Sequence, residues 1–250
     1  VRDRVVQQAL KNILEPIFDP DFHPSSYGYR PGRSAHDAIA KATAFMRDYR
    51  LVWVVDMDLS KCFDTLDHDL IIQAVREKVA DGSILRLIRL FLESGVLNSG
   101  EFEATTVGSP QGGVISPLLS NIYLDRFDQF MRSRGHRITR YADDIVIFKA
   151  SKIGAEHARK VATEYLEGCL KLTVNQKKTH LTSLWKGVPY LGVVIRGNCT
   201  QINKKRLDAF KAKVKNITRR NVPVNLEKII SDLNPILCGF ANYFKVANCK

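Results

Sequence analysis

Two β-forming runs in this 250-residue chain carry paired carboxylates where a buried strand would ordinarily carry apolar side chains. The first is Val52-Trp53-Val54-Val55-Asp56-Met57-Asp58-Leu59. It is apolar enough to be buried, yet Asp56 and Asp58 alternate along it and so share one face. In the second, Asp143-Asp144 interrupts a hairpin pattern, between Ile138–Tyr141 and Ile145–Phe148. A buried carboxylate costs several kcal/mol unless it is paired or bound to a cation. Adjacent Asp residues also make ordinary turns, so the Asp143-Asp144 pair has a bland reading. Its apolar flanks and the matching pair at Asp56 and Asp58 favour a shared cation site. No His or Cys accompanies the acids in these segments, and an oxygen-only donor set suits hard Mg²⁺ rather than Zn²⁺. Carboxylates from two strands converging on two ions ~3.5–4 Å apart are what two-metal phosphoryl transfer requires.

Composition narrows the partners. The net charge is +12, and it is unevenly placed: residues 1–150 carry a net of −1 and residues 151–250 a net of +13. That asymmetry suggests a polyanion, most simply nucleic acid, held against the C-terminal two fifths through phosphate contacts. With 45% hydrophobic and 26% charged residues the chain reads as folded rather than disordered. No apolar run approaches the ~18 residues of a membrane-spanning helix, so no membrane partner is expected. Cys62, Cys169, Cys199, Cys238 and Cys249 are odd in number and lack C-x-x-C spacing, which fits a reducing compartment. The chain begins Val-Arg-Asp-Arg, without an initiator Met or a signal-peptide pattern, as a processed chain or a fragment would.

Periodicity and capping signals predict helices over about 4–14, 34–50, 67–79, 83–93, 116–135, 151–170, 203–220 and 226–244. Strands are expected over 51–59, 101–107, 137–148 with its central break, 172–174, 180–184 and 190–195. Strands interspersed with helices around an acidic hairpin indicate an α+β fold with a mostly antiparallel sheet.

These segments resemble a known family. Tyr141-Ala142-Asp143-Asp144 resembles the YxDD box of reverse transcriptases, and Asp58-Leu59-Ser60-Lys61-Cys62-Phe63-Asp64 their first palm motif. Ser109-Pro110-Gln111-Gly112-Gly113-Val114-Ile115-Ser116-Pro117-Leu118-Leu119 resembles the PQG motif. Asn175-Gln176-Lys177-Lys178-Thr179 and Tyr190-Leu191-Gly192 are similar to the late palm motifs, in the same order. Among reverse transcriptases, the bacterial group II intron-encoded enzymes, or maturases, are resembled most. Their hallmarks appear in Asp3–Leu10, Tyr27–Ser34, the long stretch after Gln111, and Leu233-Asn234-Pro235 followed by Gly239-Phe240-Ala241-Asn242-Tyr243-Phe244.

The resemblance implies a right-hand polymerase palm with helical fingers and the start of a helical thumb. Fingers would occupy 1–50 and about 67–110, the palm 51–66 and 111–200, and the start of the thumb or maturase region 201–250. A further fingers segment before Val1 and the rest of a maturase domain are expected outside this stretch. Asp58, Asp143 and Asp144 would hold two Mg²⁺ ions, with Leu59 adding a backbone carbonyl, and Asp56 playing a supporting role. Phe63 would select deoxynucleotides by clashing with a ribose 2′-hydroxyl. Gln111, Arg30, Arg33 and Lys178 would contact the incoming dNTP, with Lys178 a candidate proton donor to pyrophosphate. Gly112 and Gly113 would let the backbone approach the template, with Tyr141, Leu191 and Gly192 nearby. Lys204, Lys205, Lys211 and Lys215 lie on a helix whose apolar stripe is Leu207, Phe210, Val214 and Ile217, and would track a template–primer duplex by its backbone.

The function so implied is RNA-directed DNA synthesis from a primer 3′-hydroxyl, combined with intron RNA binding in splicing. The partners would be RNA template, intron RNA, a DNA or RNA primer and dNTPs, with a homodimer a further expectation. The setting would be a cytoplasmic bacterial ribonucleoprotein. Two rivals stay open on sequence: a splicing cofactor that only binds RNA, and a retron, CRISPR-associated or other non-intron bacterial reverse transcriptase. The first has no need of a carboxylate cluster.

Overall fold

The computed structural model describes residues 2–93, 96–98, 101–103, 108, 113–221 and 225–248. In chain order the helices are α1 (Arg2–Phe18), α2 (Ala35–Arg47), α3 (His68–Arg76), α4 (Gly82–Glu93), α5 (Ser116–Ser133), α6 (Lys152–Gly168), α7 (Lys204–Ile217) and α8 (Leu226–Phe244). The strands are β1 (Trp53–Met57), β2 (Val96–Asn98), β3 (Glu101–Glu103), β4 (Arg137–Tyr141), β5 (Asp144–Lys149), β6 (His180–Ser183), β7 (Val188–Tyr190), β8 (Val193–Ile195) and β9 (Thr200–Ile202). The chain divides into two compact units, 1–181 and 182–250.

In the first unit the sheet order is β4-β5-β1-β6, with β1–β5 and β4–β5 antiparallel. Alternation assigns the two faces. Val55 and Met57 of β1, with Ile145 and Ile147 of β5, enter the main core together with Tyr123 and Phe127 of α5. Ala155, Ala158 and Ala162 on α6 are fully buried in that core; their small side chains let the helix lie close against β1 and β5. On the opposite face, Phe148 meets Phe45 of α2, with ring centroids 5.3 Å apart. That face also carries Asp56, Asp58 and Asp144, at the other end of the strands.

Local chemistry sets the element ends. Ser34 and Asp37 form a reciprocal capping box at α2, Asp67 caps α3 and Ser151 caps α6. Contrary to the helix end expected before Pro16, α1 runs on to Phe18. The proline removes a bond only near the helix end, and Phe18 is buried in the core beyond it. The run 190–195 is likewise two strands rather than one. Leu191 (φ 46°) and Gly192 (φ 83°) form a two-residue hairpin between β7 and β8, in the left-handed conformation suited to the strand twist.

A buried ionic network holds the acidic hairpin. Arg140, on the core face of β4, and Asp128, on α5, are both fully buried, and Arg140 Nε donates to Asp128 Oδ2 at 2.8 Å. Burial pushes the Asp128 carboxyl up while the Arg140 charge pulls it back down. Arg140 Nη1 also donates to Asn121 Oδ1 (2.9 Å) and to the carbonyl of Ala142 (3.0 Å), which has φ 59° in the hairpin turn. Asn121 in turn donates to the carbonyl of Gly28. A Cβ at Gly28 would meet the Ala142 backbone nitrogen at 2.3 Å, so only glycine permits this approach. Replacing Asp128 with Ala strands a buried guanidinium and should cost ~3–5 kcal/mol of unfolding free energy, read from urea melts. A loss below ~1 kcal/mol would show that the network does not hold the turn.

Candidate active site

The β1–β5 register pairs Met57 with Ile145 and Asp56 with Val146. Continued by one residue, it sets Asp58 opposite Asp144. Asp56, Asp58, Asp143 and Asp144 line one cavity of about 420 Å³, together with Met57, Lys178 and His180. The two acidic segments, separated by more than 80 residues of chain, therefore meet.

Asp58 is fixed from the side of the segment before β6. Its carbonyl accepts from Asn175 N (2.8 Å), its own N–H donates to Thr179 Oγ1 (3.4 Å), and its carboxylate lies 3.6 Å from Lys178 Nζ. Leu59 bridges antiparallel to Val174, and the flanking bonds are Asn175 N to Asp58 O and Ser60 N to Thr173 O. Leu59 is thus in a non-hydrogen-bonded pair, and its own N–H and C=O are not spent on Val174.

The acids repel one another. Burial, with Asp56, Asp143 and Asp58 nearby, pushes the Asp144 carboxyl up to about 7. Burial also pushes Asp56 up to about 6, with His180 opposing the shift and Asp58 adding to it. Such a cavity favours a cation; its four carboxylates suit a hard divalent ion, and the His180 imidazole stands beside them. Among the described residues no three His, Cys, Asp or Glu are gathered closely enough to hold a metal by themselves.

Phe63 follows a turn opened by Lys61 (φ 47°) and lies in the short 3₁₀ segment Cys62–Asp64. Its side chain is half-buried rather than in the core, and its ring stands edge-on to Tyr29 at 6.2 Å between centroids. Burial, with the charge of Asp143 adding to it, raises the Tyr29 phenol. Tyr141 pairs with Asp144 across β4–β5 and shares its face. Gln111 and Gly112 lie outside the described residues, whereas Gly113 is half-buried. Both flanks of that loop are anchored: Gly108 N donates to Leu66 O (2.8 Å), and Val114 N to Gln7 Oε1 of α1 (2.8 Å).

Two arginines expected at the dNTP stand elsewhere. Arg30 is buried, and its guanidinium donates to Asp19 Oδ1, Asp19 O, His23 O and Ser26 O, bracing its own loop. Those donors are spent, so a phosphate contact is withdrawn for Arg30. Arg33 lines a different cavity, between α2 and the start of β4. In the second unit, the Leu191 carbonyl accepts from Tyr243 Oη (2.8 Å), and a Cβ added at Gly192 would meet the Phe244 ring at 3.6 Å. Lys204, Lys205, Lys211 and Lys215 are exposed on α7, whose Phe210 stacks on Phe240 of α8 at 3.8 Å.

Sequence reasoning missed Tyr29, Thr179, His180 and the Arg140–Asp128 pair. His180 had a signal only in its position, two residues after Lys178 at the end of the 175–179 motif. The buried pair had none, because its members read as surface charges on a helix and a strand.

Comparison with known proteins identifies the family. The reverse transcriptase (RNA-dependent DNA polymerase) family matches residues 1–195, and the maturase-specific domain of group II introns matches residues 207–250. Protein YkfC of Escherichia coli is 37% identical over 77% of this chain and 60% of its own length. The group II intron-encoded protein LtrA of Lactococcus lactis is 35% identical over 66% of this chain and 30% of its own. The chain thus spans less than two thirds of these relatives. A telomerase structure from Candida tropicalis, in complex with a fragment of telomeric RNA, shares the fold at a TM-score of 0.62 and 14% identity, over 96% of this chain and 46% of that one. The chain belongs to the reverse transcriptase family and carries the maturase-specific match of group II intron proteins.

The raised Asp144 carboxyl predicts a pH signature. In the metal-free protein its stabilising contribution is complete near pH 4 and is lost as pH rises through about 7. In EDTA, Asp144→Asn should therefore raise the Tm, relative to the unmodified chain, more at pH 8 than at pH 5. Mg²⁺ should restore the Tm of the unmodified chain at pH 8. A difference independent of pH would remove Asp144 from the charged cluster.

Proposed function

We propose that this member of the reverse transcriptase family is the catalytic core of a group II intron-encoded enzyme. It extends a primer 3′-hydroxyl with deoxynucleotides on an RNA template, and it binds intron RNA as a splicing maturase. The observation that carries the reading is the meeting of Asp58, Asp143 and Asp144 in one cavity across the β1–β5 pairing.

Asp58 and Asp143, with Asp144, would hold two Mg²⁺ ions, and the Leu59 carbonyl is free of its strand partner to join them. Bound there, the ions would acidify the primer hydroxyl and neutralise charge on the triphosphate and the leaving pyrophosphate. Lys178, beside Asp58, is placed to balance phosphate charge and to donate a proton to the leaving group. Phe63, propped by Tyr29, would meet a 2′-hydroxyl on the incoming sugar. Gln111, Gly112 and Gly113 would contact the nucleotide and template, with Tyr141, Leu191 and Gly192 beside the nucleic acid. The exposed α7 lysines would neutralise duplex phosphates in a salt-dependent way. The fingers, palm and thumb limits given above, and a ribonucleoprotein setting in a bacterial cytoplasm, belong to the same proposal.

An RNA-binding splicing cofactor without synthesis would gain nothing from four mutually repelling carboxylates. The maturase-specific match at 207–250 favours an intron enzyme over a retron or CRISPR-associated one.

Primer extension tests the reading. Asp143→Asn should lower dNTP incorporation on an RNA template on the order of 10³-fold or more while RNA affinity stays within about threefold. Synthesis at the unmodified rate would refute the assignment. Phe63→Val should raise ribonucleotide incorporation relative to deoxynucleotide; an unchanged ratio would leave Phe63 a packing residue only.

A further inference from the structure

A second cavity, of about 390 Å³, opens between α2 and the start of β4. Arg137 and Tyr141 stand at opposite ends of β4, so this cavity and the carboxylate cavity lie roughly 13 Å or more apart along the strand. Its charge is of one sign: Arg33, Lys41, Arg132 and Arg137 line it, and no carboxylate does. Among the described residues the side chains of these four form no ion pair or hydrogen bond with the protein; only their backbones are so engaged, as in Arg33 N to Arg30 O. Two are held in place by rings instead: Lys41 Nζ lies 4.8 Å from the Phe45 ring centroid and the Arg33 guanidinium 5.7 Å from that of Tyr27.

A second, independent feature points to a ligand. His136 lines the same cavity at 9% exposure, and its Nδ1 is buried with no hydrogen-bond partner. A buried polar nitrogen left unmatched costs ~1–3 kcal/mol, which a ligand atom would recover. At the rim Tyr49 presents an aromatic ring at 59% exposure, a surface on which a base can stack. Cations, an orphan imidazole nitrogen and an exposed ring together match a nucleotide unit: phosphate inside, base at the rim.

We propose that this cavity binds a single-stranded segment of RNA, with a backbone phosphate received by Lys41, Arg132, Arg137 and His136 and a base against Tyr49. The phosphate chemistry stands on the cavity alone, while the choice of RNA as its source rests on the function proposed above. Residues 1–150 carry almost no net charge, so this contact is invisible to the charge asymmetry that marks the C-terminal part. The chain would thereby hold RNA at a place distinct from the site of synthesis.

The test uses the full chain, and Lys41→Gln/Arg137→Gln is the variant. Against a single-stranded RNA 12-mer its affinity should fall at least about tenfold, and the log–log salt slope should shrink by about 0.7, one neutralised phosphate fewer. Arg137→Lys, which keeps the charge, should preserve the slope. The rate of extension on a saturating pre-annealed template–primer should be unchanged. In NMR titrations of the unmodified chain, the 12-mer should shift the His136 ring resonances at far lower concentration than inorganic phosphate does. Normal extension, with RNA leaving His136 unmoved and the double variant binding at full affinity, would overturn the cavity proposal and spare the polymerase reading. A His136 shift with phosphate but none with RNA would overturn RNA as the ligand. Failure of the unmodified chain both to extend primers and to bind RNA would overturn both.

Discussion

Carboxylates repel, and they gather only where the backbone leaves them no alternative. Here that constraint is the antiparallel pairing of β1 with β5, whose register brings Asp58 level with Asp144. The same alternation that sends Val55, Met57, Ile145 and Ile147 into the core sends Asp56, Asp58 and Asp144 to the opposite face. A slip of one residue would exchange the faces, exposing the core residues and burying the acids, so the hydrophobic pattern itself protects the register. α2 meets that second face at Phe148. The acidic end of the strands lines a cavity, and it is there that a cation and phosphates have room.

The pairing positions the strands, but the turn carrying Asp143 needs its own support. It comes from the buried Arg140, which binds Asp128, Asn121 and the Ala142 carbonyl at once, and from the loop around Gly28, which closes against Ala142. Buried ion pairs contribute little net stability compared with apolar packing, and one Asp128 oxygen makes no hydrogen bond. The network is better understood as a device that specifies one geometry for the hairpin. Burial, with repulsion among the acids, raises the Asp144 carboxyl, and a divalent cation bound as proposed would relieve that repulsion.

Much of the site could be read from the chain because its chemistry conflicts with its surroundings: acids within apolar β runs stand out at Asp58 and at Asp143-Asp144. Helix limits set by side-chain caps, as at Ser34, Asp67 and Ser151, were legible for the same local reason. What could not be read depends on non-local contact. Arg30 looked like a loop cation free for phosphate, yet four oxygens of its own loop and of Asp19 consume it. Arg33, three residues on, was grouped with it, yet it lines a separate cavity. The split of 190–195 into a hairpin was masked by its apolar composition, which describes two short strands as well as one long one. The Arg140–Asp128 pair left no mark, since neither residue's neighbours in sequence reveal that both are fully buried.

In the C-terminal unit, a tight hairpin is held by a hydrogen bond from Tyr243, and a lysine-rich helix stacks through Phe210 on Phe240. These features suit contact with nucleic-acid backbone, whereas the proposed chemistry belongs to the first unit, where two strands would act as one site. Manganese binding followed by electron paramagnetic resonance addresses that joint action most directly. Asp58→Asn and Asp143→Asn, each alone, should weaken the tightest Mn²⁺ binding at least about tenfold, as expected if both strands supply donors to the same ions. If Asp58→Asn bound Mn²⁺ as the unmodified chain does while Asp143→Asn did not, the strands would not share a site.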